Sequence, residues 1–270
     1  MTTYRLAIPA VFLLLFALQF PSRAQTNPDS TKPPAAGTAE VHAPAQNLSQ
    51  DDQARLYLVK KQYREAEEIF RELTREQPKN AVYWNELGIS LHNQEKLDAA
   101  LKCYQKSAKL DDKYADAQNN IGTIWYKREK YARAIRYYKR AISMRHDFAP
   151  FHLNLGYTYF RQKEYEQAIS AFNEALKIDP DAFESSHSRA WTVVQDRTLS
   201  SDRGRFYYLL AKSFAESGSI ERCVVYLRKA KDEGYQDFNA IKSDPTFAAV
   251  MKDPAAQELF PPKPGEGVQP

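Results

Sequence analysis

The chain has 270 residues, 43% of them hydrophobic and 27% charged. That composition excludes a wholly disordered polymer and leaves room for one or two domains with substantial cores. The net charge is +4, and it falls to +2 when Arg5 and Arg23 of the first 24 residues are set aside, so the dense basic footprint demanded by a nucleic-acid partner is missing.

The first predicted element is a leader. MTTYR carries one positive charge, LAIPAVFLLLFALQF is an apolar run of 15 residues, and PSRAQ places the small residues Ser22 and Ala24 at an exit. In that order the three pieces predict a secretory signal over residues 1–24, cleaved after Ala24. The run is shorter than the roughly 18–20 apolar residues of a spanning helix. Pro9 also interrupts it, so no membrane insertion is expected after cleavage. Residues 25–48 are rich in Pro, Ala, Thr and polar groups and read as a flexible linker.

From residue 49 the apolar spacing is helical, with almost no alternation of the strand type, and an all-α fold is predicted. Sliding the chain against itself by 34 residues aligns Gly88, Gly122 and Gly156. The same shift aligns Ala66, Ala100, Ala134 and Ala168, then Phe70, Tyr104, Tyr138 and Phe172. Tyr57, Leu91, Trp125 and Tyr159 form one more column, and Leu73, Ser107, Ala141 and Ala175 another. A register kept without insertion marks a repeat array. Four units occupy residues 49–182, in frames that begin at 47, 81, 115 and 149. Glycine inside a helix costs about 1 kcal/mol relative to alanine. We expect Gly122 and Ala134 to let two helices approach closely, with Ile121, Trp125 and Tyr138 filling the space around them.

WNELGISL (residues 84–91), HLNLGYTY (152–159) and AISAFNEALKIDP (168–180) carry these columns most fully. In those motifs the sequence resembles the tetratricopeptide repeat family, whose unit is a 34-residue helix–turn–helix with a W-x2-L-G-x2-Y, A-x3-F and P pattern. The resemblance implies an α-solenoid with a right-handed superhelical twist, in which helices A and B alternate.

After Pro180 the register breaks. Residues 183–203 read as an insertion that includes a possible short extended piece at TVV. The pattern resumes at 204–237 as a fifth unit, with Ala211 in the glycine column and Phe214, Cys223, Leu227 and Ala230 in the others. Asp244-Pro245 and Asp253-Pro254 are helix-start signals. Residues 238–260 are therefore read as a helical cap for the exposed end of the array. The resemblance extends to end-of-array caps of bacterial tetratricopeptide proteins. Residues 261–270 form an unstructured tail. Cys103 and Cys223 invite a disulfide in an exported chain, but they stand three units apart and read as small packing residues.

No H-x3-H, HExxH or CxxC spacing occurs, nor a GxSxG elbow or a Walker loop. No cofactor or metal is expected, and an enzyme of the cell wall or of small molecules is the weaker reading. The resemblance implies a binding groove lined by the second, fifth, sixth, ninth, twelfth and thirteenth positions of each unit. Its candidate peptide-binding residues are Asn85 of unit two, Asn119, Asn120, Thr123, Tyr126 and Lys127 of unit three, and Asn154, Tyr157, Phe160 and Arg161 of unit four. The amides suit the backbone of an extended peptide. Lys127 and Arg161 suit an acidic group, and the aromatic side chains suit apolar anchors. The expected function is a non-catalytic protein-interaction scaffold in the periplasm or cell envelope, with a protein or peptide partner and no nucleic acid. An alternative is an envelope-assembly subunit that uses the convex face or the 183–203 insertion.

Overall fold

The structure, a computed structural model, describes residues 48–183 and 202–260. The leader, the linker up to residue 47, nearly all of the 183–203 insertion and the 261–270 tail lie outside the described residues. Helices follow in the order α1 (Gln50–Val59), α2 (Tyr63–Glu76), α3 (Ala81–His92), α4 (Leu97–Leu110), α5 (Ala115–Lys127) and α6 (Tyr131–Met144). They continue with α7 (Ala149–Arg161), α8 (Tyr165–Ile178), α9 (Arg203–Glu216) and α10 (Ile220–Asp232). Among the described residues there is no strand, and no helix is long and apolar enough to cross a membrane.

Odd-numbered helices pair with the even-numbered helix that follows, and each pair packs on the next. α3, α5 and α7 also touch one another along one face. The result is an α-solenoid, continued by α9, which packs on α8, and by α10, which packs on α9.

A single backbone device closes the five helices α1, α3, α5, α7 and α9. The residue at the fifteenth position of each frame is left-handed: Lys61, Glu95, Glu129 and Lys163 have φ between 57° and 62°, and Gly218 has 77°. The amide that follows it reaches back five residues, from Gln62, Lys96, Lys130, Glu164 and Ser219 to the carbonyls of Tyr57, Leu91, Trp125, Tyr159 and Phe214. The left-handed residue itself donates to the carbonyl three back. Together these are the two bonds of a Schellman motif. A non-glycine residue in that conformation costs roughly 1–2 kcal/mol, and the tertiary packing of each pair offsets it.

The glycine column has a more specific reason than backbone approach. A Cβ added at Gly122 would lie 2.7 Å from the Tyr138 ring, one at Gly88 2.5 Å from Tyr104, and one at Gly156 2.4 Å from Phe172. The ring of the twenty-fourth position lies across the glycine. The neighbour that demands Gly122 is therefore Tyr138, rather than Ala134.

The apolar interior is not continuous. One cluster runs from Ala54 to Ile124 and another from Tyr126 to Leu210, so the division falls within α5, where Trp125 packs against both. A third cluster joins α9 and α10 to the C-terminal segment through Phe238, Ile241, Phe247, Val250, Leu259 and Phe260. That segment consists of 3-10 turns at Phe238–Ser243, Pro245–Phe247 and Val250–Lys252, followed by α11 (Pro254–Gln257). The carboxylates of Asp244 and Asp253 each accept an amide two residues ahead at 2.9 Å, with proline at the first helical position. Cys103 and Cys223 are free, and both are buried. Burial pushes their thiols up to about 11 and about 12, so neither is a nucleophile near neutral pH.

Candidate functional site

α3, α5 and α7 carry all ten candidate residues, and the asparagines among them form a buried chain of amides. Asn154 Nδ2 donates to Asn119 Oδ1 at 2.8 Å, and Asn120 Nδ2 donates to Asn85 Oδ1 at 2.9 Å. Within α5, Asn119 Nδ2 lies 3.4 Å from Asn120 Oδ1 and closes the chain. All four side chains are at most 2% exposed. The reason is positional: the fifth position of one unit meets the sixth of the next where adjacent A helices touch, an offset of 35 residues. Two asparagines there satisfy each other away from water.

The other candidates also enter the packing. Thr123 accepts from the Tyr138 hydroxyl at 3.3 Å. Tyr126 is buried and meets Tyr131 edge to face, with centroids 5.4 Å apart. Lys127 pairs with Glu95 at 2.7 Å. Tyr157 stacks on Phe206 of α9, Phe160 meets the same ring edge to face, and Arg161 Nε donates to the Tyr131 hydroxyl at 3.1 Å. The twelfth and thirteenth positions sit at the C-terminal ends of the A helices, where neighbouring units stack.

A cavity of 410 Å³ opens instead at the N-terminal ends of those helices. α3 supplies Asn85, Glu86 and Ile89, α5 supplies Asp116 and Asn120, and α7 supplies Pro150 and Leu153. Tyr114, Arg145, Asp147 and Phe148 come from the turns before α5 and α7, and Asp179 and Asp181 from the turn after α8. Of the ten candidates, Asn85 and Asn120 line this cavity. The turn residues, at positions 31, 33 and 34 of their frames, went unnoticed because the repeat pattern fixes only the proline at 32 in that stretch.

Arg145 is fixed in place: it donates to Asp116 Oδ1 at 2.8 Å and lies over Phe148 and Phe151, 4.1 and 4.8 Å from the ring centroids. On the opposite end of α3, burial first, and then the charge of Lys127, holds the His92 imidazole down to about 4. It is neutral at physiological pH, with Nδ1 3.4 Å from the Tyr104 hydroxyl. Among the described residues no group of three His, Cys, Asp or Glu side chains is arranged to hold a metal ion.

Comparison with known proteins addresses the architecture. Two family profiles, both described as Tetratricopeptide repeat, match residues 79–146 and 119–183. A search of curated proteins gives no match. Among solved structures, PilF of Pseudomonas aeruginosa superposes with a TM-score of 0.51 at 16% identity, over 78% of this chain and 86% of that one. MamA of Desulfovibrio magneticus gives 0.47 at 17% identity, over 70% of this chain and 95% of that one. YrrB, described as a TPR protein with an unusual peptide-binding site, gives 0.45 at 16%, over 70% and 88%. Likeness at these identities concerns fold alone. The matched residues, the repeated helix pairs and the shared 34-residue register agree, and residues 79–183 are tetratricopeptide repeats.

Proposed function

We propose that this protein is a non-catalytic interaction scaffold that holds an extended segment of a protein partner along the face formed by α3, α5 and α7, and that it works in the periplasm or cell envelope. The observation that carries the reading is the 410 Å³ cavity, built from three successive units and mixing apolar walls with polar groups. A ligand lying there crosses several repeats, the geometry that a stacked array offers to an elongated partner. Export rests on the leader sequence, and the mass of the mature chain checks it: cleavage after Ala24 leaves Gln25 at the N-terminus.

A second reading has its own support. The outer helices α4 and α6 expose Lys102, Lys106, Lys109, Arg133, Arg136, Lys139 and Arg140. Their only acid is Asp98, whose carboxylate pairs with Arg128. A partner docked on the convex face would meet that strip. Placing a photo-crosslinking amino acid at Ile89 or at Arg136 in the full chain, in cells, separates the two. Adducts from the Ile89 position are expected. Adducts from the Arg136 position alone would transfer the function to the outer face.

A further inference from the structure

The outer helices α4 and α6 each carry a stripe of a single charge sign. Lys102, Lys106 and Lys109 recur at i, i+4 and i+7 on α4, and Arg133, Arg136 and Arg140 at i, i+3 and i+7 on α6. Each triplet therefore shares one helix face, and all six residues are exposed. The opposite faces give Ala100 and Tyr104, and Ala134 and Tyr138, to the apolar interior. Lys102 holds the same frame position as Arg136, and Lys106 the same as Arg140. Both helices pack on α5, so the two stripes belong to consecutive units of the outer surface.

Like charges four residues apart repel and weaken a helix, and nothing within the chain offsets them here. Among the described residues none of the six is in an ion pair; Arg133 alone is engaged, over the Trp125 ring at 4.6 Å. α6 has no acidic residue, and the one carboxylate of α4, that of Asp98, is taken by Arg128. The repeat does not impose this. At the positions of Lys102 and Lys106, α2 has Glu68 and Glu72 and α8 has Ser170 and Glu174, all of them exposed. Those helices carry both signs, with Arg71 paired to Glu67 and Lys177 to Glu174. The unbalanced cations are a property of units two and three.

The borders of the patch indicate what it fits. Glu68 and Glu72 stand on one side and Glu174 on the other, and among the described residues no large apolar side chain is exposed on α4 or α6. A lipid surface is negative throughout and would repel both borders, and it holds peripheral helices through apolar side chains as well as charge. A protein segment whose acidic residues span two units and then stop matches the cations and their borders alike. The planar forks of Arg136 and Arg140 suit carboxylates in particular.

We propose that the outer face of α4 and α6 is a second docking surface, which takes an acidic segment of a protein partner with its carboxylates among Lys102, Lys106, Arg136 and Arg140. The proposal does not rest on the groove reading, because α3, α5 and α7 contribute no cation to these stripes.

The test uses fluorescence anisotropy with the full chain and three labelled alanine-based peptides of one length, bearing glutamate, glutamine or lysine at every fourth position. The glutamate peptide is expected to bind best, and its affinity to fall between low and physiological salt. Arg136→Glu with Arg140→Glu is expected to weaken it about tenfold, and Lys102→Glu with Lys106→Glu to do the same. Lys60→Glu with Lys252→Glu, an equal change of net charge elsewhere on the surface, should leave it unchanged. Circular dichroism confirms that each variant is folded. Vesicles of phosphatidylglycerol are expected to sediment no more of the chain than vesicles of phosphatidylcholine. Glutamate-peptide binding no tighter than that of the glutamine peptide, or weakened equally by all three charge-reversed pairs, overturns the proposal. Sedimentation with phosphatidylglycerol that the Arg136 and Arg140 pair abolishes also overturns it, and assigns the face to a membrane.

Discussion

At the scale of single residues, the array is governed by contacts a few tenths of an ångström too tight for substitution. Gly122→Ala brings a Cβ to 2.7 Å from the Tyr138 ring. We expect it to lower stability by roughly 1–2 kcal/mol in urea denaturation, despite alanine's roughly 1 kcal/mol better helix propensity. Adding Tyr138→Leu reproduces the pair Ala211 and Leu227, which occupies the same two positions in the fifth unit with both residues fully buried. The double variant should therefore be more stable than the sum of its single changes. A second residue-scale expectation concerns acid. Unfolded His92 takes up a proton near 6.5 and folded His92 only near 4, because burial opposes its charge. Its stabilising contribution is complete above pH 6.5 and is lost as pH falls toward 4, by an amount on the order of 3 kcal/mol. His92→Phe should flatten the stability profile between those two values; an unaltered slope would assign the acid sensitivity to another group.

Among elements, the A helices are joined by amides as well as by apolar contacts. Asn120→Ala removes the donor to Asn85 Oδ1, a residue 2% exposed, and is expected to cost about 1–3 kcal/mol. Asn85→Ala combined with it should cost clearly less than the two changes added, and a double-mutant cycle by thermal denaturation measures the coupling. Much of the element order was legible in the sequence, since glycine, alanine and aromatic columns are set by packing and packing repeats every 34 residues. The left-handed closures were not legible, because Lys61, Glu95, Glu129 and Lys163 give no hint of a conformation that usually calls for glycine. The asparagines were read as groove residues for a related reason. A polar residue type alone cannot tell a solvated amide from one whose partner stands 35 residues away, although that offset is visible in Asn85 and Asn120 and again in Asn119 and Asn154.

For the whole molecule, a nearly balanced net charge conceals a separation: cations on the outer helices α4 and α6, carboxylates in the inner cavity. Bulk composition averages this away. It becomes visible only when the solenoid assigns each position to a face, and the turn residues that line the cavity went unassigned in the repeat pattern. The division of the apolar interior within α5 bears on cooperativity. The two halves of the array each have their own buried cluster, and the amide chain from Asn85 to Asn154 spans the gap between them. Scanning calorimetry of Asn119→Ala with Asn120→Ala should accordingly resolve two overlapping melting events in place of one. A lone, cooler endotherm would mean that Trp125 is sufficient to couple the halves. Should the two events appear, a strip of four amides is the clasp that lets a segmented rod melt as a single body.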